Sequence, residues 1–338
     1  MAKRSLIDRL EVSIQAMLER PDATIAGPRE DFDASVVALV GLGRDLRDLP
    51  REGFKARLRT NLERSTQMEN AAKQAISSDA SKQETMPSRF HTIAPYIIVP
   101  RAGEFIEFLT NAFDGAEQFR VPIEGSELIM HAEVQIGNSV IELADANEQI
   151  PPAPTAIHLY VDDAHSSFKR AIEAGATSIY EVGKHVSGDM QGAVRDPFGN
   201  LWYVSMKGDW TPGPGGVPSV QPYLHLLGSE KMIPFLENAF GGVVTGGVPT
   251  SPEGHVLHAT IQIGDNTLEL DEAHGEFQPM PCHLHLHVDD ADAMYARAMR
   301  AGATSIDAPS NKPYGRSGGV KDPFGNSWYM TSPLQQRT

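Results

Sequence analysis

Three histidines stand two residues apart in CHLHLHVDD, residues 282–290. Side chains on a β-strand alternate between its faces, so His283, His285 and His287 project together. Imidazoles grouped this way suit two tasks, ligating a divalent cation and moving a proton near neutral pH. Neighbours two apart on a strand lie about 6.5 Å from each other, so the three compete for one ion. A second reading stands beside the metal one, in which these are hydrogen-bonded pocket histidines. Glu269 in TLEL, His225 in PYLHLL and Tyr329 in SWYM lie in similar alternating runs of the same half. Cys282 has the opposite parity and reads as a small buried residue; it is the only cysteine, which leaves no internal disulfide framework.

The elements that carry these residues occur twice. Ala94 aligns with Gln221, Glu142 with Glu269 and His158 with His285, a constant offset of 127 residues. APYIIVPRAGEFIEFLTNAF matches QPYLHLLGSEKMIPFLENAF, and HAEVQIGNSVIEL matches HATIQIGDNTLEL. One residue is lost before RDPFGNLWYVS and KDPFGNSWYMT. Two modules, 91–208 and 221–333, therefore descend from one duplicated unit. Each reads as strand, helix and further strands, twice over. The second helix of each module opens after Val-Asp-Asp, where Asp162, Asp163, Asp289 and Asp290 supply capping carboxylates. It closes at Ala-Gly, where glycine suits the left-handed C′ position. Asp-Pro-Phe-Gly then places Pro and Gly as a type I turn requires.

The remainder is polar or helical. Leu6, Leu10, Ile14 and Leu18 form one apolar stripe, and Pro21 and Pro50 separate short helices within residues 1–65. Residues 66–90 and the Pro/Gly-rich 209–220 have linker composition. The helical segment reads either as a dimerisation appendage or as a regulatory element that binds another protein. The net charge of −15 argues against nucleic acid and anionic membrane as partners, because both reward clustered Lys and Arg. No apolar run reaches the roughly 18 residues needed to span a bilayer, and the charged start lacks a signal-peptide core. A cytoplasmic protein that acts on a small molecule is the expectation.

VDD before a helix ending in AGA, DPFGNxW and AEVQIGxSxIEL together resemble the vicinal oxygen chelate superfamily: glyoxalases, bleomycin-resistance proteins and extradiol dioxygenases. The likeness covers 91–333. It implies an α+β fold of two tandem glyoxalase-like modules, each a pair of βαβββ motifs forming a curved half-open sheet, preceded here by the all-helical segment.

The resemblance also implies a ligand set for a divalent ion such as Zn, Fe, Mn, Ni or Co. Carried over by register, the second module offers Gln221, Glu269 and His283, with Tyr329 at the last position. The first offers Ala94, Glu142, Ala156 and Tyr203, with His158 one strand step away; two alanines make that site look degenerate. Tyrosine at the last position disfavours glyoxalase I proper and extradiol ring cleavage, which want a carboxylate there. A three-ligand site on Gln221, Glu269 and His283 remains, with His285 or His225 as general base. The loop NKPYGRSGG carries Lys312, Tyr314 and Arg316, and reads equally as a hairpin or as a flap presenting cations to an anionic substrate. The leading expectation is a metal-dependent enzyme working in the second module. The alternative is a non-catalytic binding or resistance protein that uses the same cavity.

Overall fold

The computed structural model describes residues 90–185, 188–206 and 219–334. The expected N-terminal helices and nearly all of the two linkers lie outside the described residues.

Each sequence module folds into two βαβββ motifs. The first comprises β1 (Ile93–Val99), α1 (Ala102–Phe113), β2 (Ala116–Pro122), β3 (Ile129–Ile136) and β4 (Ser139–Asp145). The second is β5 (Ala156–Tyr160), α2 (Ala164–Glu173), β6 (Thr177–Lys184), β7 (Met190–Arg195) and β8 (Leu201–Met206). The third runs through β9 (Val220–Leu226), α3 (Met232–Phe240), β10 (Val243–Thr245), β11 (Ala259–Ile263) and β12 (Asn266–Glu272). The fourth closes with β13 (His283–His287), α4 (Ala291–Arg300), β14 (Thr304–Lys312), β15 (Gly315–Lys321) and β16 (Ser327–Ser332).

The local chemistry follows the residue types. Asp163 and Asp290, the second carboxylate of each Asp-Asp pair, accept the amide hydrogens of Ser166 and Ala293 and start α2 and α4. Gly175 and Gly302 follow those helices with φ of +100° and +105°, where a Cβ would be strained. The Asp-Pro-Phe-Gly-Asn turn has an evident purpose. Asp322 accepts from the amides of Phe324 and Asn326, from Asn326 Nδ2 and from Trp328 Nε1. Asn326 in turn accepts the Cys282 amide and so ties the turn to β13. Asp196, Asn200 and Trp202 repeat the arrangement against Thr155. One buried carboxylate thus fixes a turn, a tryptophan and the entry to the neighbouring strand.

The sheets do not coincide with the modules. The first sheet has the order β14-β15-β16-β13-β1-β4-β3-β2, and the second β10-β11-β12-β9-β5-β8-β7-β6. Motif one thus joins motif four through antiparallel β1 and β13, and motif two joins motif three through antiparallel β5 and β9. The modules reappear in the apolar cores. One core gathers Phe105, Leu109 and Phe113 of α1 with Phe168 of α2, together with Ile97, Leu143, Leu159 and Trp202 from both sheets. The other repeats this with Phe235, Leu236, Phe240, Leu270, Leu284 and Trp328. Because strand side chains alternate, each sheet is left with a second face that carries the polar residues. Among the described residues, no helix is long and apolar enough to cross a membrane.

Candidate metal centre

The polar face of the first sheet gathers around Glu142 on β4, which is 2% exposed. His285 Nδ1 lies 2.7 Å from its Oε2 and 3.0 Å from its Oε1, and His287 Nε2 lies 2.9 Å from Oε1. The far side of the His285 ring is held by Thr331, whose Oγ1 is 2.7 Å from Nε2 and donates to Ser317 Oγ. His287 stacks on Phe90 with ring centroids 4.2 Å apart. Burial pushes the Glu142 carboxyl up, but His285 and His287 together hold it well below the usual range. His287 is itself held below its ordinary value by burial and by His285.

These three residues suit a divalent ion. One donor atom from each lies within 4.8 Å of the other two. The nearest nitrogen–oxygen separations, 2.7 to 3.0 Å, are those of hydrogen-bonded ion pairs, so the carboxylate and both rings already converge on one point. Two imidazoles and a carboxylate are the donor set of a borderline cation. An outer hydroxyl that fixes one ligand ring, as Thr331 does for His285, is the usual support for such a site. Around this cluster, Tyr96 places its hydroxyl 3.3 Å from His131 Nδ1, and His283 stacks on Tyr329 at 6.0 Å between centroids.

The second sheet presents the matching face with a different outcome. Glu269 on β12 lies 2.9 Å from His158 Nδ1 and 3.2 Å from His258 Nε2. His158 Nε2 lies 2.7 Å from Ser205 Oγ, which accepts from Gln191, which in turn accepts from Tyr180. Alongside, the Tyr203 hydroxyl lies 2.9 Å from His225 Nε2, and His225 Nδ1 meets Asp271 at 2.6 Å. Tyr203 and Tyr223 pack together with Phe277 and Met280 over Ala156.

Several expectations change in this frame. Glu269 and His283 stand in different sheets, because β12 pairs with β9 while β13 pairs with β1. Gln221, Glu269 and His283 are therefore not one cluster; Gln221 faces His158 across β9 and β5. Glu142, assigned above to a degenerate site, meets His285 and His287 of the other module. His158 serves Glu269, again across modules. His225 is 1% exposed and committed to Asp271 and Tyr203. His285, expected as a base, lies against Glu142, and Tyr329 lies against His283. Arg316 is locked to Asp292 of α4, with further bonds to Asn311 and the Pro309 carbonyl. Lys312 pairs with Asp307 at 3.1 Å, and Tyr314 is exposed. The glycine-rich loop is thus the β14–β15 hairpin, with its arginine turned to a helix. His131, Glu133, Asp271 and Thr331 were not singled out from sequence. The available signal was the alternation of HAEVQIG, which puts His131 and Glu133 on the face of Glu142.

The chain matches the Glyoxalase/Bleomycin resistance protein/Dioxygenase superfamily over residues 89–204 and 229–330, and it belongs to that family. Among solved structures, it resembles glyoxalase I from Zea mays at a TM-score of 0.58 and 16% identity, over 71% of this chain and 92% of that one. The likeness to the maize enzyme is one of fold. An uncharacterized protein of Mycobacterium bovis is 35% identical over 121 residues, 32% of this chain and 79% of its own length. A Mycobacterium tuberculosis counterpart shows the same identity over 71% of its length.

Proposed function

We propose that this protein is a divalent-metal-dependent enzyme acting on a small oxygenated molecule at the polar face of the first sheet. Glu142, His285 and His287 hold the ion. The convergence of two imidazole nitrogens on one buried carboxylate carries the reading. It is supported by membership of a superfamily that includes metal-dependent enzymes. Bound there, the ion supplies a Lewis acid that polarises a substrate oxygen. The chain's own residues do the rest. Thr331 and Ser317 orient the His285 ring, Tyr96 and Tyr329 supply hydroxyls, and His283 is the imidazole free to take a proton once His285 is committed to Glu142. The working site is then built from both modules, with the carboxylate from the first and the imidazoles from the second.

Metal analysis of untagged protein is the test. We expect about one equivalent of a transition ion per chain, reduced to background by Glu142→Gln and by the double change of His285 and His287 to Ala. Background metal in the wild type after supplementation with Mn, Co, Ni and Zn would sink the reading in favour of a non-catalytic binding protein.

A further inference from the structure

Resting on that reading, we propose that Glu133 is the second carboxylate of the metal centre, the charge that makes a divalent ion the matching occupant. Glu133 on β3 stands directly opposite Glu142 on β4 in the antiparallel register. Directly opposed residues have Cβ atoms about 5 Å apart on the same face, and like charges in that relation destabilise a sheet. Both carboxylates are nearly sequestered from water, at 7% and 2% exposure, so solvent does little to screen them. The ion pairs around them set imidazoles against both: His131 Nε2 lies 3.5 Å from Glu133, while His285 and His287 face Glu142.

His285 and His287 must be neutral to ligate a metal and so cannot balance two carboxylates, while His131 faces Glu133 alone. A divalent ion can, and with His131 neutral its arrival leaves zero net charge over two buried carboxylates. The second sheet supplies the control within the same chain. There, the residue opposite Glu269 is Thr260, so the doubled carboxylate is a property of the first face alone. The proposal assigns Glu133 a positioning and charge-balancing role for the ion.

The two roles open to Glu133 predict different behaviour. A merely structural partner of His131 stabilises the metal-free protein and leaves metal affinity alone. A charge-balancing carboxylate opposes Glu142 until the ion arrives. Calorimetric titration with Mn, Co, Ni and Zn ions, with thermal unfolding of the same samples, separates them. We expect Glu133→Gln to weaken metal binding at least about tenfold, to shrink the metal-induced rise in Tm and to raise the Tm of the metal-free protein. Should Glu133→Gln not fold, Glu133→Thr copies the residue of the second sheet and is read the same way. A Kd equal to that of the wild type overturns the proposal while leaving the metal reading intact. Failure of the wild type to bind any of the four ions overturns both.

Discussion

The two polar faces began as copies and differ in what their glutamate meets. Glu142 and Glu269 occupy matching positions, as do His285 and His158, and each histidine is held at its far nitrogen by a hydroxyl, Thr331 or Ser205. Beyond that the faces part. Where the first sheet has His287, the second has Tyr160, which stacks on His158 instead of adding a donor. Where the first has His283, the second has Ala156, and the vacated space takes the rings of Tyr203 and Tyr223. Ile98 and Ala144 of the first correspond to His225 and Asp271, so the second face gains a buried polar pair that the rings cover. On the first face two imidazoles and a carboxylate lie within 4.8 Å of one another; on the second Glu269 also meets two imidazoles, but among the described residues these form no such group, and aromatic rings fill the space beside them. Duplication supplies the frame, and a few strand positions set which partners each glutamate meets.

The largest expected effect that tests this contrast is at Glu269. Its carboxyl is held down to about 2, against burial that pushes it up, by His158 and His258. Removing one partner from a buried charged pair costs about 3–5 kcal/mol. Glu269→Ala should therefore lower stability by that amount in urea unfolding and leave bound metal unchanged. Loss of metal with Glu269→Ala would break the comparison, because it would make the sealed face a binding one.

A smaller effect tests whether the two halves are equivalent where no site is involved. Asp196 and Asp322 bind the same four donors in the same turn. Replacing either with Ala orphans a buried tryptophan N–H and several amides, which should cost about 2–4 kcal/mol. The turns belong to separate apolar cores, so the double mutant should show additive losses in the same unfolding assay. A double-mutant loss that departs from the sum would show that one module depends on the other for its stability.

The parts of this molecule that were legible in sequence are those set by local rules. The repeat at an offset of 127 residues exposed the modules, and spacing within a few residues let the Asp-Asp pairs mark the starts of α2 and α4 and Asp-Pro-Phe-Gly mark a turn. The face shared by His283, His285 and His287 was equally legible, since parity along a strand is local. Which carboxylate those histidines meet was not. β1 and β9 carry the same apolar alternation, and nothing within β13 states that it pairs with β1 rather than with β9. That choice is made by long-range packing of helices and sheets, and it carries Glu142 rather than Glu269 to the histidines. His131 and Glu133 were overlooked for the same reason, because β3 lies in the module whose site was read as degenerate.

The smallest effect concerns pH and sharpens the account of the sealed face. The hydrogen bond to Glu269 raises the His258 pKa above its ordinary value, although burial opposes this. A raised folded pKa means that protonation favours the folded state. Its stabilisation is complete below the unfolded value near 6.5 and is lost as pH climbs through the higher folded one. Glu269 works in the opposite direction. Its depressed pKa gives stability that is present above the unfolded value near 4.5 and lost as pH falls toward 2. Tm measured against pH should therefore decline on the acid side in the wild type and in His258→Asn alike, because His158 still pairs with Glu269. Between pH 6 and 8, the wild type should show a shallow decline that His258→Asn flattens. His258 is 44% exposed, so solvent screening keeps this contribution within about 1 kcal/mol. An unchanged decline in His258→Asn would mean that Glu269 is held by His158 alone, and that the second face is sealed from one side only.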